Sequence, residues 1–490
     1  MSSDDNGGND GDEASLSKPL FEDNGPLSDP LERQAIFAAL DSYRQYRKTT
    51  HYNTTHRRRQ NLYALPSSQW QMLSGPPISI LDTLSAVDDA IDHNADLADA
   101  ILDLGLTSFG LDGRGPDQKD PLPAASLEFH GAARPNDLSK AHSTIRQFYR
   151  DWSREGFTSE VKPLLDTILS DLRTHLPLDR HASTDDSSAT TSAGQSPPGG
   201  SATPSLLLPG AGLGRLLFEL CRAGYDATGN EISYHQLLAS NFILNCAAHE
   251  DQYSIYPFAT TFTNVTSRKS QQLRRHTVPD VHPATAMQDR IDRSLPVGEM
   301  NMTAGDFILS YSTPGCTGAF DGVVSVFFID TAPNLIRYIE TVRNCLAPNG
   351  VWINLGPLLW HFDDRFHGGD NDINNNAESK GGGDGDTDTH THSHSHDGKN
   401  RHSHSLQQHK HPMEPEDKGI AEPGSFELSD EEVIQLVSQF GFEIIHHEIV
   451  GDENVNSPTS AYGSGLGYVQ DPSSLLQNRY RCSHWVARKL

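Results

Sequence analysis

Four short stretches of this sequence carry residues able to hold a nucleoside and act beside it. The first is Leu206-Leu-Leu-Pro-Gly-Ala-Gly-Leu-Gly-Arg215, where Gly210, Gly212 and Gly214 follow an apolar run. Glycine lets a chain turn sharply and lets a ligand approach the backbone. Glu231 lies 19 residues past Gly212, a distance that suits a carboxylate accepting hydrogen bonds from ribose hydroxyls at the end of the next strand. A plain glycine-rich loop is the alternative. The second stretch, Ala304-Gly-Asp306-Phe307, offers Asp306 to an adenine amino group and Phe307 to the face of the ring, or else is an acid in a surface turn. The third, Phe327-Phe-Ile-Asp330-Thr331, ends the most apolar run of the chain. It sets Asp330 where substrate meets cofactor, unless Asp330 is a helix N-cap. The fourth, Leu355-Gly-Pro-Leu-Leu-Trp-His361, carries His361, which could equally be structural.

The elements around these stretches give them a common address. Residues 205–208 read as a strand and 216–221 as a helix. A strand over 225–231 and a helix over 233–246 follow. A strand over 320–329, a helix over 334–346 stopped by Pro348-Asn349-Gly350, and a strand over 351–355 continue the alternation. Ser429-Asp-Glu-Glu432 starts a helix within 425–440. Two closing strands, 442–450 and 481–488, are able to pair antiparallel. Such alternation predicts an α/β fold: a Rossmann-like, mostly parallel sheet with helices on its faces and an antiparallel closing strand. In such sheets ligands bind at the carboxyl edge, where all four stretches emerge.

The glycine spacing narrows the ligand. The dinucleotide fingerprint is GxGxxG, whereas here the third glycine comes one residue early. GxGxG is found in many S-adenosylmethionine-dependent methyltransferases, whose cofactor has no pyrophosphate to cradle. A nicotinamide-dependent oxidoreductase is disfavoured by this spacing and by the lack of a second nucleotide-binding half.

Composition sets outer limits. The 490 residues are 35% hydrophobic with a net charge of −27, which disfavours nucleic-acid and membrane-surface partners. No apolar run approaches the ~20 residues of a membrane span, and the acidic N-terminus is unlike a signal peptide. Five scattered cysteines with no CxxC pair argue against a disulfide framework or a structural zinc site, and for a cytoplasmic setting, with the nucleus also compatible. The expected organisation is a disordered acidic tail (1–29), an N-terminal helical region (30–180), a low-complexity linker (181–203) and a core (204–365) containing a polar insertion (267–297). A His/Gly/Asp-rich disordered insertion (366–424) and the C-terminal part of the core (425–490) complete it. Eight histidines lie between His390 and His411. They fit a disordered polar linker better than a metal-sequestering tract, and no catalytic metal is expected.

Longer segments resemble one family. LLLPGAGLGRLLFELCRAGYDATGNEISYHQLLASNFILN (206–245), VFFIDTAPNLIRYIETVRNCLAPNGVWINLGPLLWHF (326–362), RQFYRDWS (146–153) and FELSDEEVIQLVSQFGFEI (426–444) are similar to the carnosine N-methyltransferase family. The resemblance implies a class I methyltransferase fold that moves methyl from S-adenosylmethionine to an imidazole nitrogen of carnosine, giving anserine, or of a related histidine-containing peptide. It places Gln147, Arg150, Gly210, Gly212, Glu231, Asp306 and Phe307 at the cofactor, with Arg150 pairing with the cofactor carboxylate. Asp330, His361, Tyr468 and Tyr480 fall at the substrate, with Asp330 catalytic. A homodimer through the N-terminal helices is also implied. A cofactor-binding regulatory protein without catalysis, and an enzyme acting on a protein histidine, are the competing readings.

Overall fold

In the computed structural model of the protein, the described residues are 25–112, 128–178, 203–360, 417–422, 424–450, 468–469, 475 and 479–490. The acidic segment 1–24, most of the linker, residues 366–416 of the histidine-rich insertion, and His361 lie outside them.

Eleven strands are described: β1 (Ser205–Pro209), β2 (Asp226–Glu231), β3 (Tyr253–Ile255), β4 (His276–Val278), β5 (Met300–Ala304), β6 (Phe320–Val326), β7 (Leu346–Gly356), β8 (Phe442–Val450), β9 (Tyr468–Val469), β10 (Arg479–Tyr480) and β11 (Cys482–Lys489). Seven form the central sheet in the order β5-β2-β1-β6-β7-β11-β8. The first five are parallel, and β11 runs antiparallel between β7 and β8. This is the expected Rossmann-like sheet with its antiparallel closure. The chain runs from β1 outward through β2 and β5, then returns to the other side of β1 with β6. Strand order therefore reverses between β1 and β6, where a doubly wound sheet leaves a crevice for ligands.

Helices α1 (Pro30–His51), α2 (Arg57–Tyr63), α3 (Ser67–Ser74), α4 (Ile80–Ser108), α5 (Pro135–Trp152), α6 (Arg154–Gly156) and α7 (Lys162–His175) precede the sheet. Six more accompany it: α8 (Arg215–Ala223), α9 (Tyr234–Asn241), α10 (Pro283–Asp292), α11 (Phe307–Tyr311), α12 (Leu335–Cys345) and α13 (Asp430–Gln439). The start read at Ser429 is a complete capping box with Glu432.

The N-terminal helices share a core with the sheet-flanking helices. Ile36, Leu40 and Tyr43 of α1 and Phe148 and Trp152 of α5 pack in one apolar cluster with Leu213, Phe218 and Leu238. Polar contacts fix this docking. The Tyr43 hydroxyl donates to the His235 carbonyl at 2.6 Å, and Trp152 Nε1 donates to the Leu213 carbonyl, inside the glycine turn, at 3.1 Å. The RQFYRDW segment is thus a wall of the glycine loop. Segment 267–297, expected as an insertion, contains β4, paired antiparallel with β3, and α10. Its Val278 is buried in the same cluster as Trp152.

Candidate functional site

The glycine loop is built by left-handed backbone. Gly210, Gly212 and Gly214 have φ of 69°, 58° and 75°, a region costly for residues with a Cβ. Gly210 also packs so closely that a Cβ there would lie 2.8 Å from the Phe328 ring. Glu231, at the end of β2, closes the loop from the other side. Its Oε2 accepts the Gly212 N–H at 3.0 Å. Its Oε1 accepts the N–H groups of Ile232 and Ser233 at 2.9 and 2.8 Å. Burial nevertheless pushes its carboxyl above the usual range, against these three donors. A carboxylate so desolvated gains from further donors.

A cavity of about 430 Å³ opens over this loop. Gln147, Arg150, Gly210, Gly212, Glu231 and Phe307, all expected at the cofactor, line it. Gln147 arrives from α5, where its Oε1 accepts from Gln236 Nε2 at 3.3 Å. Phe307 meets Phe328 edge-on, with ring centroids 5.4 Å apart, and Phe328 stacks on Tyr338 at 4.8 Å. These rings form an apolar end, opposite in character to the Gln147 and Arg150 end.

Two expected contacts are arranged differently. Arg150 lines the cavity, but its Nε and Nη2 donate to the carboxylate of its neighbour Asp151 at 2.6 and 2.9 Å; the fork expected on the cofactor's carboxylate is held by Asp151. Asp306 caps α11. Its Oδ1 accepts the N–H groups of Ile308 and Leu309, and its Oδ2 accepts that of Ile420 at 2.8 Å. A helix start needs such acceptors, and the structure gives Asp306 this cap rather than a place on the cavity wall. Phe307 and Ile420, on either side of it, line the cavity instead.

The Asp330 turn follows the end of β6, and Tyr480 precedes β11, whose Ser483 pairs with Gly356 at the end of β7. Phe327 adopts a φ of 52°, a strained conformation for a large side chain. It turns the chain into the short helical turn Ile329–Thr331, which carries Asp330. Asp330 is buried, and its Oδ2 accepts the Leu359 N–H at 3.1 Å. The N-cap of α12 is Asn334, whose side chain accepts from Ile336, so Asp330 does not cap that helix. Asp330 does not itself line the cavity; its neighbours Phe328 and Thr331 do. Through Leu359 it tethers the segment leading to His361, which lies outside the described residues. Tyr480 sits opposite Tyr468 in the β9–β10 ladder and, like Val326 and Phe327, packs against the cluster that includes Leu355 and Cys482.

Arg215 is a cavity residue that the sequence reading missed. It is 3% exposed, donates to Asp280 at 2.5 Å and to Glu219 at 3.0 Å, and lies 3.7 Å over the Phe157 ring. The signal was its place directly after Gly214. Its partner Asp280 lies 65 residues away, in the polar segment expected to be an insertion.

Comparison with known proteins agrees with this architecture. The family model described as carnosine N-methyltransferase matches residues 128–490. A carnosine N-methyltransferase of Mus musculus is 34% identical over 68% of this chain and 72% of its own. One of Schizosaccharomyces pombe is 29% identical over 92% of this chain and 94% of its own. With a family match over most of its length, and with that match spanning the glycine loop, the Asp330 turn and the closing strands, the chain belongs to the carnosine N-methyltransferase family and is a methyltransferase.

Proposed function

We propose that this enzyme transfers a methyl group from S-adenosylmethionine to an imidazole nitrogen of carnosine, giving anserine, or of a related small histidine-containing peptide. One observation carries the reading. A single cavity spans Gln147 and Arg150, the glycine loop with Glu231, and the Phe307 and Phe328 rings, and ends on Thr331 beside Asp330.

The residues fit an adenosyl group with a charged amino-acid tail. Glu231 offers a desolvated carboxylate to a ribose diol, Phe307 and Tyr338 give apolar faces to a base, and Gln147 and Arg150 offer polar groups to the tail. The bound cofactor supplies a methyl group on a sulfonium, an electrophile that needs no metal or acid.

The protein must then present a nucleophile in line. Good alignment of two reactants is worth ~7–11 kcal/mol. An imidazole attacks through the lone pair of one nitrogen, so the ring has to be neutral. Asp330 sits next to the cavity-lining Thr331, and a rotation of its side chain would bring its carboxylate to the N–H of the other ring nitrogen, selecting the reactive tautomer. Methylation of a neutral ring would leave it cationic. The Asp330 carboxylate stabilises that charge and takes the ring proton. Its hydrogen bond to Leu359 fixes the carboxylate against the chain leading to His361. His361, Tyr468 and Tyr480 orient the peptide.

The test is titration calorimetry with S-adenosylmethionine, followed by methyl-transfer assays on carnosine, on other histidine peptides and on a histidine-bearing protein extract. Binding with turnover of carnosine or a small peptide supports the reading. Transfer only to protein histidines, or no saturable cofactor binding, overturns it.

A further inference from the structure

On the outer part of the sheet, three potential metal ligands converge that the methyl-transfer chemistry does not use. His446 and Glu448 lie two residues apart on β8 and so share a face. His484 on β11 pairs directly with Glu448 in the antiparallel ladder, so all three side chains project to the face that α7 covers. Glu448 Oε1 lies 3.2 Å from His484 Nδ1 and 3.7 Å from His446 Nε2. One donor atom from each residue falls within 4.8 Å of the others. Around a tetrahedral ion with bonds of about 2.0–2.1 Å, donors sit roughly 3.4 Å apart. Two of the three separations are therefore close to the required value, and the third closes by a side-chain adjustment of the exposed His446.

A second shell is in place. His484 is almost fully buried, and its Nε2 faces Asp171 Oδ2 of α7 at 2.8 Å. A metal-bound imidazole commonly donates its other N–H to a carboxylate, which fixes the tautomer and the ring orientation. Here Asp171 would receive that N–H while Nδ1 turns to the ion. As metal ligands both imidazoles would be neutral, leaving Glu448 and Asp171 to supply two negative charges against a dication. His446 is exposed and leaves a path for entry and a position for water.

We propose that His446, Glu448 and His484 form a divalent transition-metal site, suited to zinc, with Asp171 as the positioning residue behind His484. Two imidazoles and a carboxylate favour zinc over calcium or magnesium, which prefer all-oxygen shells. The ion would tie the terminal strand β8 to β11 and, through Asp171, to α7. β11 begins at Cys482, two residues past Tyr480 of β10. The site therefore braces the strand that borders the substrate side, without touching the reacting atoms.

The eight histidines between His390 and His411 would bind zinc on their own. The test therefore uses the full-length chain with those eight replaced by serine. Zinc affinity is measured by chelator competition, and the visible spectrum is recorded with cobalt(II). The expected result is one zinc per chain, tetrahedral cobalt bands and a zinc-dependent rise in the thermal midpoint. His446→Ala and Glu448→Gln should each weaken zinc at least ~10-fold and abolish the bands, and Asp171→Asn should weaken it by ~10–100-fold. His446 is exposed, so its variant is expected to fold, which circular dichroism checks. Absence of zinc binding or of tetrahedral cobalt bands in the serine-substituted parent overturns the proposal. So does undiminished affinity in His446→Ala and Glu448→Gln.

Discussion

The carboxylate of Glu231 accepts the backbone N–H of Gly212 at 3.0 Å, so the acid that ends β2 also holds the middle of the glycine loop. The same buried group forms part of the loop's geometry and lines the cavity. Replacing it with Gln removes the charge, keeps the size and turns one acceptor oxygen into an NH2 that faces a backbone N–H. A hydrogen bond to a charged group contributes ~1.5–3 kcal/mol, and a ribose offers two. Glu231→Gln should therefore weaken S-adenosylmethionine binding by at least ~10-fold, and by more if both hydroxyls are engaged, and should also lower the thermal midpoint of the cofactor-free protein. Calorimetric titration of cofactor into both proteins checks this.

Gly210 faces two separate penalties, and they can be measured apart. Gly110 has nearly the same φ, 66° against 69°, but a Cβ there meets nothing within 4 Å. Gly110→Ala should therefore cost only the left-handed backbone penalty, ~1 kcal/mol. Gly210→Ala adds a contact 2.8 Å from Phe328 and should also lower cofactor affinity. Denaturant melts of both variants, paired with cofactor titrations, separate the terms. Equal losses in stability with unchanged affinity would show that Phe328 yields freely.

Arg215 sits in a buried charge network with Asp280 and Glu219. Removing one member of such a network leaves uncompensated charge, at a cost of about 3–5 kcal/mol. Arg215→Ala should show that loss in denaturant unfolding. A double variant that also carries Asp280→Asn should recover part of it, because the stranded charge is gone.

His235 reports on the docking of the N-terminal helices. Burial pushes its pKa down to about 4, and its Nε2 lies 3.0 Å from the Ser42 hydroxyl of α1. An unfolded histidine titrates near ~6.5, so the folded state holds this ring neutral where the unfolded state protonates. The stabilising contribution is fully present above about pH 6.5 and is lost as pH falls toward about 4, reaching ~2 kcal/mol by roughly pH 5. Burial lowers His142 as well, adding to the same slope. The thermal midpoint of the wild type should drop between pH 7 and pH 5 more steeply than that of His235→Gln.

The legible parts of this protein are those encoded locally. GAGLG followed by Glu231 is a short-range pattern, and its left-handed glycines and strand-end acid appear where that pattern put them. The Ser429–Glu432 start is equally local. What escaped depends on distant pairing. Arg215 acquires its setting from Asp280, and Ile420 reaches the cavity only because its N–H docks on Asp306, 114 residues earlier in the chain. The strained Phe327 is invisible in sequence, since large side chains seldom take a positive φ. Its need becomes clear only from Gly356, where a Cβ would fall 2.9 Å from the Phe327 nitrogen.

The most direct test of the account is mass spectrometry of carnosine incubated with a deuteromethyl-labelled cofactor and either the wild type or Asp330→Asn. The wild type should place one label on the imidazole ring. Asp330→Asn should bind cofactor nearly as well as wild type and yield no product above background. Undiminished ring methylation by Asp330→Asn, or a label found on the peptide's amino group in place of the ring, would contradict the role assigned to that carboxylate.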